Sequence, residues 1–328
     1  MLNTTYDLVG VGSPIVDVLA RVPEAFLQQV GGEKGGMVLV DAADIGQWMA
    51  ELPDGFAEAP GGSAGNTLFA ASRLGLRTTF VGKTGNDAGG EFYRRRFAEL
   101  GGDAKRFKIG NQANGRCLSL ITPDSERTMR TDLGAAATLV PGEVTPADFL
   151  GCRHAHIEGY LLFNEELMRS VLEAAKSSGS TISVDLASFE VVGAAREILP
   201  GILRDYVDVV LANEEEAAAY LEKEEAPEEM AKELGQICQV AVVKAGAHGA
   251  WIVRGEETVF APALPGIQPV DTTGAGDYWA AGFLSGWLKG KRLETCGHWG
   301  SLLGAEIVQV IGASLPEETW ERVLPEFR

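Results

Sequence analysis

A glycine-rich stretch near the carboxyl-terminal end of the chain holds the residues with the clearest chemical potential. Residues 271–277 read DTTGAGD, and apolar side chains follow at helical spacing, at Trp279, Phe283 and Trp287. The first amides of a helix have no partner within it, so they would point into the glycine turn with the positive end of the helix dipole behind them. The stretch therefore predicts an anion site, and phosphate is the anion that fits it best.

Asp277 closes this stretch, at the rim of the predicted phosphate site. A carboxylate beside phosphate is unfavourable unless it takes part in the chemistry. The step that fits is to accept the proton of a hydroxyl that attacks the phosphate. The alternative is an ordinary glycine turn in which Asp277 caps the helix. Other parts of the sequence have to decide between these two interpretations.

Two other regions could contribute groups to a ligand site. Residues 60–67 form a second glycine turn that opens a helix; Gly61 and Gly62 lie in this turn, and so does Asn66, which can both donate and accept hydrogen bonds. Asp17 is a lone carboxylate in an apolar strand. It is either a solvent-facing edge residue or an acceptor for sugar hydroxyls.

Strands and helices alternate regularly from Arg153 onward, and this alternation would position the remaining candidates. We predict strands and helices in the following order: 154–158, helix 164–178, 181–185, helix 190–203, 207–211, helix 213–223 and 240–244. Such alternation is typical of a parallel sheet with helices on both faces. Ligands of these sheets lie at the carboxyl ends of the strands.

Two loops at those strand ends contain candidate nucleotide-binding residues. Asn213 and Glu216 form either a capping box or a network that organises Mg²⁺ and phosphates. Gly246 and Gly249, which follow Lys244, would let the backbone approach a nucleotide.

Between the two halves of the chain, residues 105–131 have short alternating stretches and turn signals. They predict an antiparallel β flap over a substrate cleft.

Composition excludes several classes of partner. The chain has 328 residues, a net charge of −18 and 45% hydrophobic residues, so it can bury a large core but would repel nucleic acid and anionic membranes. No apolar run approaches the length of a membrane span, and the first residues do not resemble a signal peptide. The four cysteines lie far apart, which fits a reducing cytoplasm.

The motifs, taken together, closely resemble those of the ribokinase-like (PfkB) carbohydrate kinases. Residues 271–277 resemble the carboxyl-terminal signature of that family, and residues 61–67 with 81–90 resemble its amino-terminal one. Residues 213–216 match its NxxE motif, and Asp17 matches its GNxxVD element. Because four motifs occur in the family's order, the interpretation as a phosphoryl-transfer site is favoured over the interpretation as ordinary capped turns.

The resemblance implies a fold as well as a reaction. It implies a ribokinase-like three-layer α/β/α fold with a mainly parallel central sheet, formed by one domain that spans residues 1–328. A small β-sheet lid would come from segments of about 13–41 and about 104–132.

Residue roles follow from the same resemblance. It implies that Asp277 is the base and that the anion hole is formed by Gly274, Ala275 and Gly276. The residues implied to bind the substrate are Asp17, Gly61, Gly62, Asn66 and Arg127. Those implied to bind ATP are Asn213, Glu216, Lys244, Gly246 and Gly249, with Glu216 holding Mg²⁺ through water. Asp271 and Thr273 match positions that bind a monovalent cation in many members, which makes K⁺ a candidate cofactor.

The resemblance identifies the phosphate acceptor less precisely than it identifies the reaction. Residues 122–129 and 133–136 are similar to adenosine-kinase-like members, which favours a nucleoside over a free sugar. Phe26 and Phe107 are candidates for stacking on a purine. The sequence departs from the usual family pattern at Lys244, where many members have Thr.

We therefore expect a cytoplasmic kinase, monomeric or homodimeric, that transfers phosphate from ATP to a primary hydroxyl of a sugar or nucleoside. Free-sugar kinases of the ribokinase or fructokinase type are the alternative acceptor class. A sensor that binds nucleotide or sugar without turnover is the alternative of another kind, although it would not need Asp277. A dinucleotide oxidoreductase is disfavoured, because the glycine fingerprint that starts at Gly10 and Gly12 lacks its third glycine.

Overall fold

The computed structural model describes residues 5–124 and 126–328. The strands within them are β1 (Tyr6–Val11), β2 (Val16–Arg21), β3 (Met37–Leu39), β4 (Ala57–Pro60), β5 (Thr78–Val81), β6 (Lys83–Gly85), β7 (Lys108–Gly110), β8 (Asn114–Ile121), β9 (Arg127–Gly134), β10 (Cys152–Glu158), β11 (Thr181–Asp185), β12 (Val209–Asn213), β13 (Val240–Lys244), β14 (Ala250–Arg254) and β15 (Glu257–Ala261). The helices are α1 (Glu24–Val30), α2 (Ala42–Ala50), α3 (Ser63–Arg73), α4 (Ala88–Glu99), α5 (Glu165–Ser177), α6 (Phe189–Ala194), α7 (Leu199–Tyr206), α8 (Glu214–Leu221), α9 (Pro227–Leu234), α10 (Ala275–Leu288), α11 (Leu293–Ile307) and α12 (Glu317–Val323). None of these helices is both long enough and apolar enough to span a membrane.

A large sheet forms the centre of the molecule, with strand order β15-β14-β13-β12-β11-β10-β1-β5. Neighbouring strands are parallel from β5 to β13, and β14 and β15 are antiparallel additions at one edge. Side chains alternate between its faces. Ala241 and Val243 pack in the core under α5 to α9, and Val240 and Val242 pack in the core under α10 and α11. Helices thus cover both faces, which confirms the predicted three-layer arrangement.

A second, five-stranded sheet has the order β3-β9-β8-β2-β4 and its own apolar core. Leu118 and Leu120 of β8 pack there with Phe26 of α1 and Ile45 of α2. Strands β8 and β9 pair antiparallel, as the alternating pattern predicts. Strand β4 also belongs to this sheet, although it lies outside the two segments that we expected to form the lid.

The predicted helix 190–203 is wrong in its continuity, because the structure has two helices there, α6 and α7. Residues 195–198 form a turn between them, and Pro200 lies in the first turn of α7. Proline has no N–H to continue a helix and fits best in a first turn. Strands β10 to β13 lie within two residues of their predicted positions, whereas α3 and α10 begin inside the predicted glycine turns, at Ser63 and Ala275.

Candidate active site

Four polar residues end four neighbouring strands of the central sheet. Glu158 ends β10, Asp185 ends β11, Asn213 ends β12 and Lys244 ends β13. In the sheet register, Glu158 lies opposite Asp185, and Asn213 lies opposite Lys244. Because these strands are parallel, all four side chains lie at one edge of the sheet, where ligands of such sheets bind.

Asp277 lies at the start of α10 and is held by the start of α3. Ser63 donates its hydroxyl to Oδ1 of Asp277 at 2.7 Å, and Asn66 donates its amide Nδ2 to Oδ2 at 2.9 Å. Thr67 donates its hydroxyl to the Asp277 carbonyl at 3.1 Å. The two predicted glycine turns therefore meet at the carboxylate, which does not serve as a helix cap. Gly274 is the residue at the N-cap of α10, with a left-handed φ of 74°.

Burial raises the pKa of Asp277 to about 6. The hydrogen bonds from Asn66 and Ser63 lower this pKa, while the nearby charge of Asp185 raises it further and that of Lys244 lowers it. At neutral pH the carboxylate is mostly ionised, yet it is a better proton acceptor than an ordinary aspartate. Those are the properties of a general base.

Asp17 of β2 lies against Gly61 and is only 7% exposed, so the solvent-facing interpretation is wrong. Burial raises its pKa to about 6; the charge of Arg127 lowers this pKa, and those of Asp277 and Asp271 raise it. Gly61 lets this carboxylate approach, since a side chain there would start 2.5 Å from it.

The second glycine of that turn is required by its backbone. Gly62 has a φ of 84°, and a Cβ atom there would lie 2.2 Å from the carbonyl oxygen of Ser13. The amide of Ser13 donates to Glu158 at 2.8 Å, and the amide of Ala64 donates to it at 3.3 Å. Buried Glu158 thus fixes the loop that follows β1 against the start of α3, and burial raises its pKa to about 7.

Among residues 5–124 and 126–328, two buried polar atoms of the predicted substrate-binding residues have no hydrogen-bond partner. They are Oδ1 of Asn66 and Nε of Arg127. A buried group without a partner is unfavourable unless a ligand supplies one. Oδ1 of Asn66 can accept a hydroxyl, and Nε of Arg127 can donate to an oxygen. Both atoms are therefore available to a polar ligand.

Lys244 connects the strand ends to the glycine loop. Its Nζ donates to Oδ2 of Asp185 at 2.8 Å, and a Cβ atom built on Gly276 would lie 3.1 Å from it. Burial would lower the pKa of Lys244, but the charges of Asp185 and Glu216 outweigh it and hold the pKa above its usual value. A fixed positive charge therefore lies beside the predicted anion site. Within that loop, the Ala275 amide already donates to the carbonyl of Thr272 at 3.1 Å.

Asn213 and Glu216 form the capping box that the sequence offers as one interpretation. The Asn213 side chain accepts from the Glu216 amide at 2.8 Å, and Glu216 accepts from the Asn213 amide at 2.8 Å. Glu216 is nonetheless 3% exposed, and burial together with the charge of Asp185 raises its pKa. A capping residue on the surface would not show this shift.

These acidic residues fit a magnesium ion that is held mainly by phosphates. The described part of the chain has no group of three or more His, Cys, Asp or Glu side chains that could hold a metal. Mg²⁺ at kinase sites is typically bound by one or two carboxylates together with phosphates and water. Asp185 and Glu216 would supply those carboxylates. Burial and the charge of Asp185 raise the pKa of Glu216, and a bound cation would stabilise its ionised form.

Arg127 contacts both of the residues predicted to bind a monovalent cation. Its Nη1 donates to Oδ2 of Asp271 at 2.9 Å and also to the hydroxyl of Thr273. The predicted substrate arginine and the predicted cation site thus meet in one place.

Gly246 and Gly249 follow β13 with φ values of 52° and 97°, and the space around Gly246 is open.

Sequence reasoning missed Ser63, Glu158 and Asp185. Asp185 and Glu158 could have been found from the sequence, because each is a charged residue that ends a predicted buried strand.

The prediction that Phe26 or Phe107 stacks on a purine is wrong. Phe26 is buried in the core of the second sheet, and Phe107 stacks on Phe80 with ring centroids 5.2 Å apart.

Comparison with known proteins adds a family to this geometry. A family described as "pfkB family carbohydrate kinase" matches residues 37–320. The crystal structure of adenosine kinase from Sinorhizobium meliloti superposes with a TM-score of 0.86 and 32% identity, covering 98% of this chain and 99% of that one. The adenosine kinase of Saccharomyces cerevisiae is 26% identical over 96% of this chain and 98% of its own length. A ribokinase of Arabidopsis thaliana is 28% identical over 78% of this chain and 69% of its own length.

Proposed function

Because the chain belongs to the pfkB family of carbohydrate kinases, we propose that it transfers the γ-phosphoryl group of ATP to a primary hydroxyl of a small sugar or nucleoside. The family makes it a phosphotransferase that acts on an alcohol group. One observation supports this site as the place of the reaction. Nδ2 of Asn66 donates to the Asp277 carboxylate, while the buried Oδ1 of Asn66 has no partner in the described residues.

The acceptor side of the reaction follows from those contacts. Oδ1 of Asn66 and the carboxylate of Asp17 accept hydrogen bonds from hydroxyls of the substrate and so orient it. Asp277 then accepts the proton of the attacking hydroxyl. Ser63 and Asn66 keep the Asp277 carboxylate in place, which is the positioning that general base catalysis needs.

The phosphate side depends on fixed positive charge. Lys244, the first-turn amides of α10 other than that of Ala275, and the dipole of α10 stabilise the negative charge of the transferring group. Glu216 and Asp185 would hold Mg²⁺ together with the phosphates, and the bound ion would neutralise further charge on them. Asn213 keeps Glu216 in position, and Gly246 and Gly249 leave room for the backbone to pass close to the nucleotide.

For the acceptor we propose an adenosine-like nucleoside. Two adenosine kinases match nearly the whole chain, and residues 122–129 are similar to those of adenosine-kinase-like members. A free sugar is the second candidate, because Asn66 and Asp17 would recognise the hydroxyls of either acceptor. We further propose one catalytic domain, with the five-stranded sheet as a lid, in a cytoplasmic protein. Four buried free cysteines support a reducing compartment.

The test is a panel of acceptors at equal concentration, with ATP and Mg²⁺ present and nucleoside or sugar phosphate as the measured product. Adenosine, other nucleosides, ribose and fructose should be compared by kcat/KM. We expect adenosine to exceed the free sugars. Faster phosphorylation of ribose or fructose would replace the nucleoside by a sugar, and binding without any turnover would replace the kinase by a sensor.

A further inference from the structure

Arg127 lies where the family resemblance implies a monovalent cation. Its guanidinium contacts Asp271 and Thr273, and its Nη2 donates to the hydroxyl of Ser119 at 2.7 Å. Ser119 belongs to β8 and Arg127 to β9, whereas Asp271 and Thr273 lie in the loop before α10. The contact therefore joins the small sheet to the glycine loop through a positive charge.

The hydrogen-bonding capacity of Asp271 is already used. An ionised carboxylate has about four sites that accept hydrogen bonds. The Asp271 carboxylate accepts from Arg127, from the Gly312 amide at 2.8 Å and from the Thr273 amide at 2.9 Å. The Thr273 side chain is a further hydrogen-bond partner. A metal ion would have to displace one of these donors.

Electrostatic repulsion also prevents the Arg127 guanidinium and a monovalent cation from binding Asp271 together. The side chains of Arg127 and Asp271 are only 8% and 7% exposed, so solvent screens them little. A cation bound to the same carboxylate would lie about 4 Å from the guanidinium. At that separation, repulsion near a protein surface weakens binding by about a thousandfold. The guanidinium and a monovalent cation therefore exclude one another, and the residues present do not fit K⁺.

We propose that Arg127 itself supplies the positive charge that a monovalent cation supplies in other family members, so that this chain needs no K⁺. Thr273 directly precedes Gly274, so the guanidinium is held next to the loop that faces the phosphoryl group. Because Arg127 belongs to β9, the charge comes from the small sheet rather than from solvent. The proposal rests on the proposed function for its effect on rate.

The wild-type protein gives the first test. K⁺ is replaced by tetramethylammonium at constant ionic strength, and both kcat/KM and Tm are measured. We expect both to stay the same, with rates within about twofold. Saturable activation by K⁺ of tenfold or so, accompanied by a rise in Tm, would overturn the proposal.

Arg127→Ala gives the second test. In tetramethylammonium we expect its rate to fall by about a hundredfold, since the positive charge held beside the glycine loop is lost. K⁺ or free guanidinium should then restore about tenfold and raise the Tm, and Arg127→Lys should remain independent of K⁺. The control is Arg130→Ala. Arg130 belongs to the same strand and donates to backbone carbonyls, including those of Met129 and Gly36, so neither cation should restore a rate that it loses.

An Arg127→Ala protein that responds to K⁺ no more than the wild type would also overturn the proposal. If that variant does not fold, the wild-type and Arg127→Lys comparisons still decide. The Tm measurement needs no turnover. Failure to phosphorylate any acceptor would therefore reject the proposed function, while the effect of K⁺ on Tm would still test Arg127.

Discussion

Carboxylates with raised pKa values characterise the site at the scale of single residues. Burial raises the pKa of Asp17 and of Asp277 to about 6 and that of Glu158 to about 7. Of these, Asp277 is the one at the start of α10, beside Lys244 and the glycine loop. Asp17 lies on β2 of the five-stranded sheet, against Gly61, and Glu158 accepts hydrogen bonds from two backbone amides. The assignment of the base therefore depends on position as much as on pKa.

The pH dependence of the rate follows from the pKa of Asp277. A base acts only when it is deprotonated, so kcat/KM should rise with pH through about 6 and then level off. Asp17 has a similar pKa, so Asp17→Asn is the control: it should raise KM but keep the same acidic limb. A profile that is flat between about pH 5 and about pH 8 would contradict the assignment.

Lys244 provides a second prediction at this scale. Lys244→Met removes a buried positive charge near Gly276, and we expect kcat to fall by about 10²–10³-fold. The matched control is Lys108→Met. Lys108 forms a comparable ion pair with Asp148 at 2.6 Å, but it lies on β7, so its loss should leave kcat nearly unchanged. Equal rates for the two variants would show that Lys244 serves only to neutralise Asp185.

At the scale of elements, the sequence predicts the order of strands and helices well but not their contacts. Repeated apolar spacing marks β10 to β13 and α10. The gap between α6 and α7 is missed because the apolar pattern continues across it. The meeting of Ser63 with Asp277 is also missed, since their positions are 214 apart in the chain and only tertiary packing joins them.

The start of α10 gives a prediction that concerns the element itself. Gly274 has a φ of 74°, and a Cβ atom there would lie 2.8 Å from the Cβ of Ala313. Gly274→Ala should therefore distort the glycine loop and lower kcat by about 10²-fold or more. Gly290→Ala, at the other end of α10, is the control. It has a φ of 69° with open space around it, so it should lower stability by about 1–2 kcal/mol while leaving kcat unchanged.

At the scale of the whole molecule, the five-stranded sheet contacts the glycine loop before α10 through Arg127. With a net charge of −18, the chain would need local positive groups to hold an anionic nucleotide, and Lys244 and Arg127 both lie beside the glycine loop. Charge and family motifs predict that such groups are needed. They do not predict that Arg127 contacts Asp271, because that contact depends on how the small sheet lies over the loop.

The central claim, that Asp277 is the base of a phosphoryl-transfer site, is tested most directly by Asp277→Asn. This variant keeps the shape of the side chain but cannot accept the proton. The measurement is γ-phosphoryl transfer from ATP to the best acceptor of the panel, compared with the wild type and with the surface control Asp205→Asn. We expect Asp277→Asn to lose about 10²–10⁴-fold in kcat and Asp205→Asn to lose nothing. Equal rates for Asp277→Asn and the wild type would contradict the account.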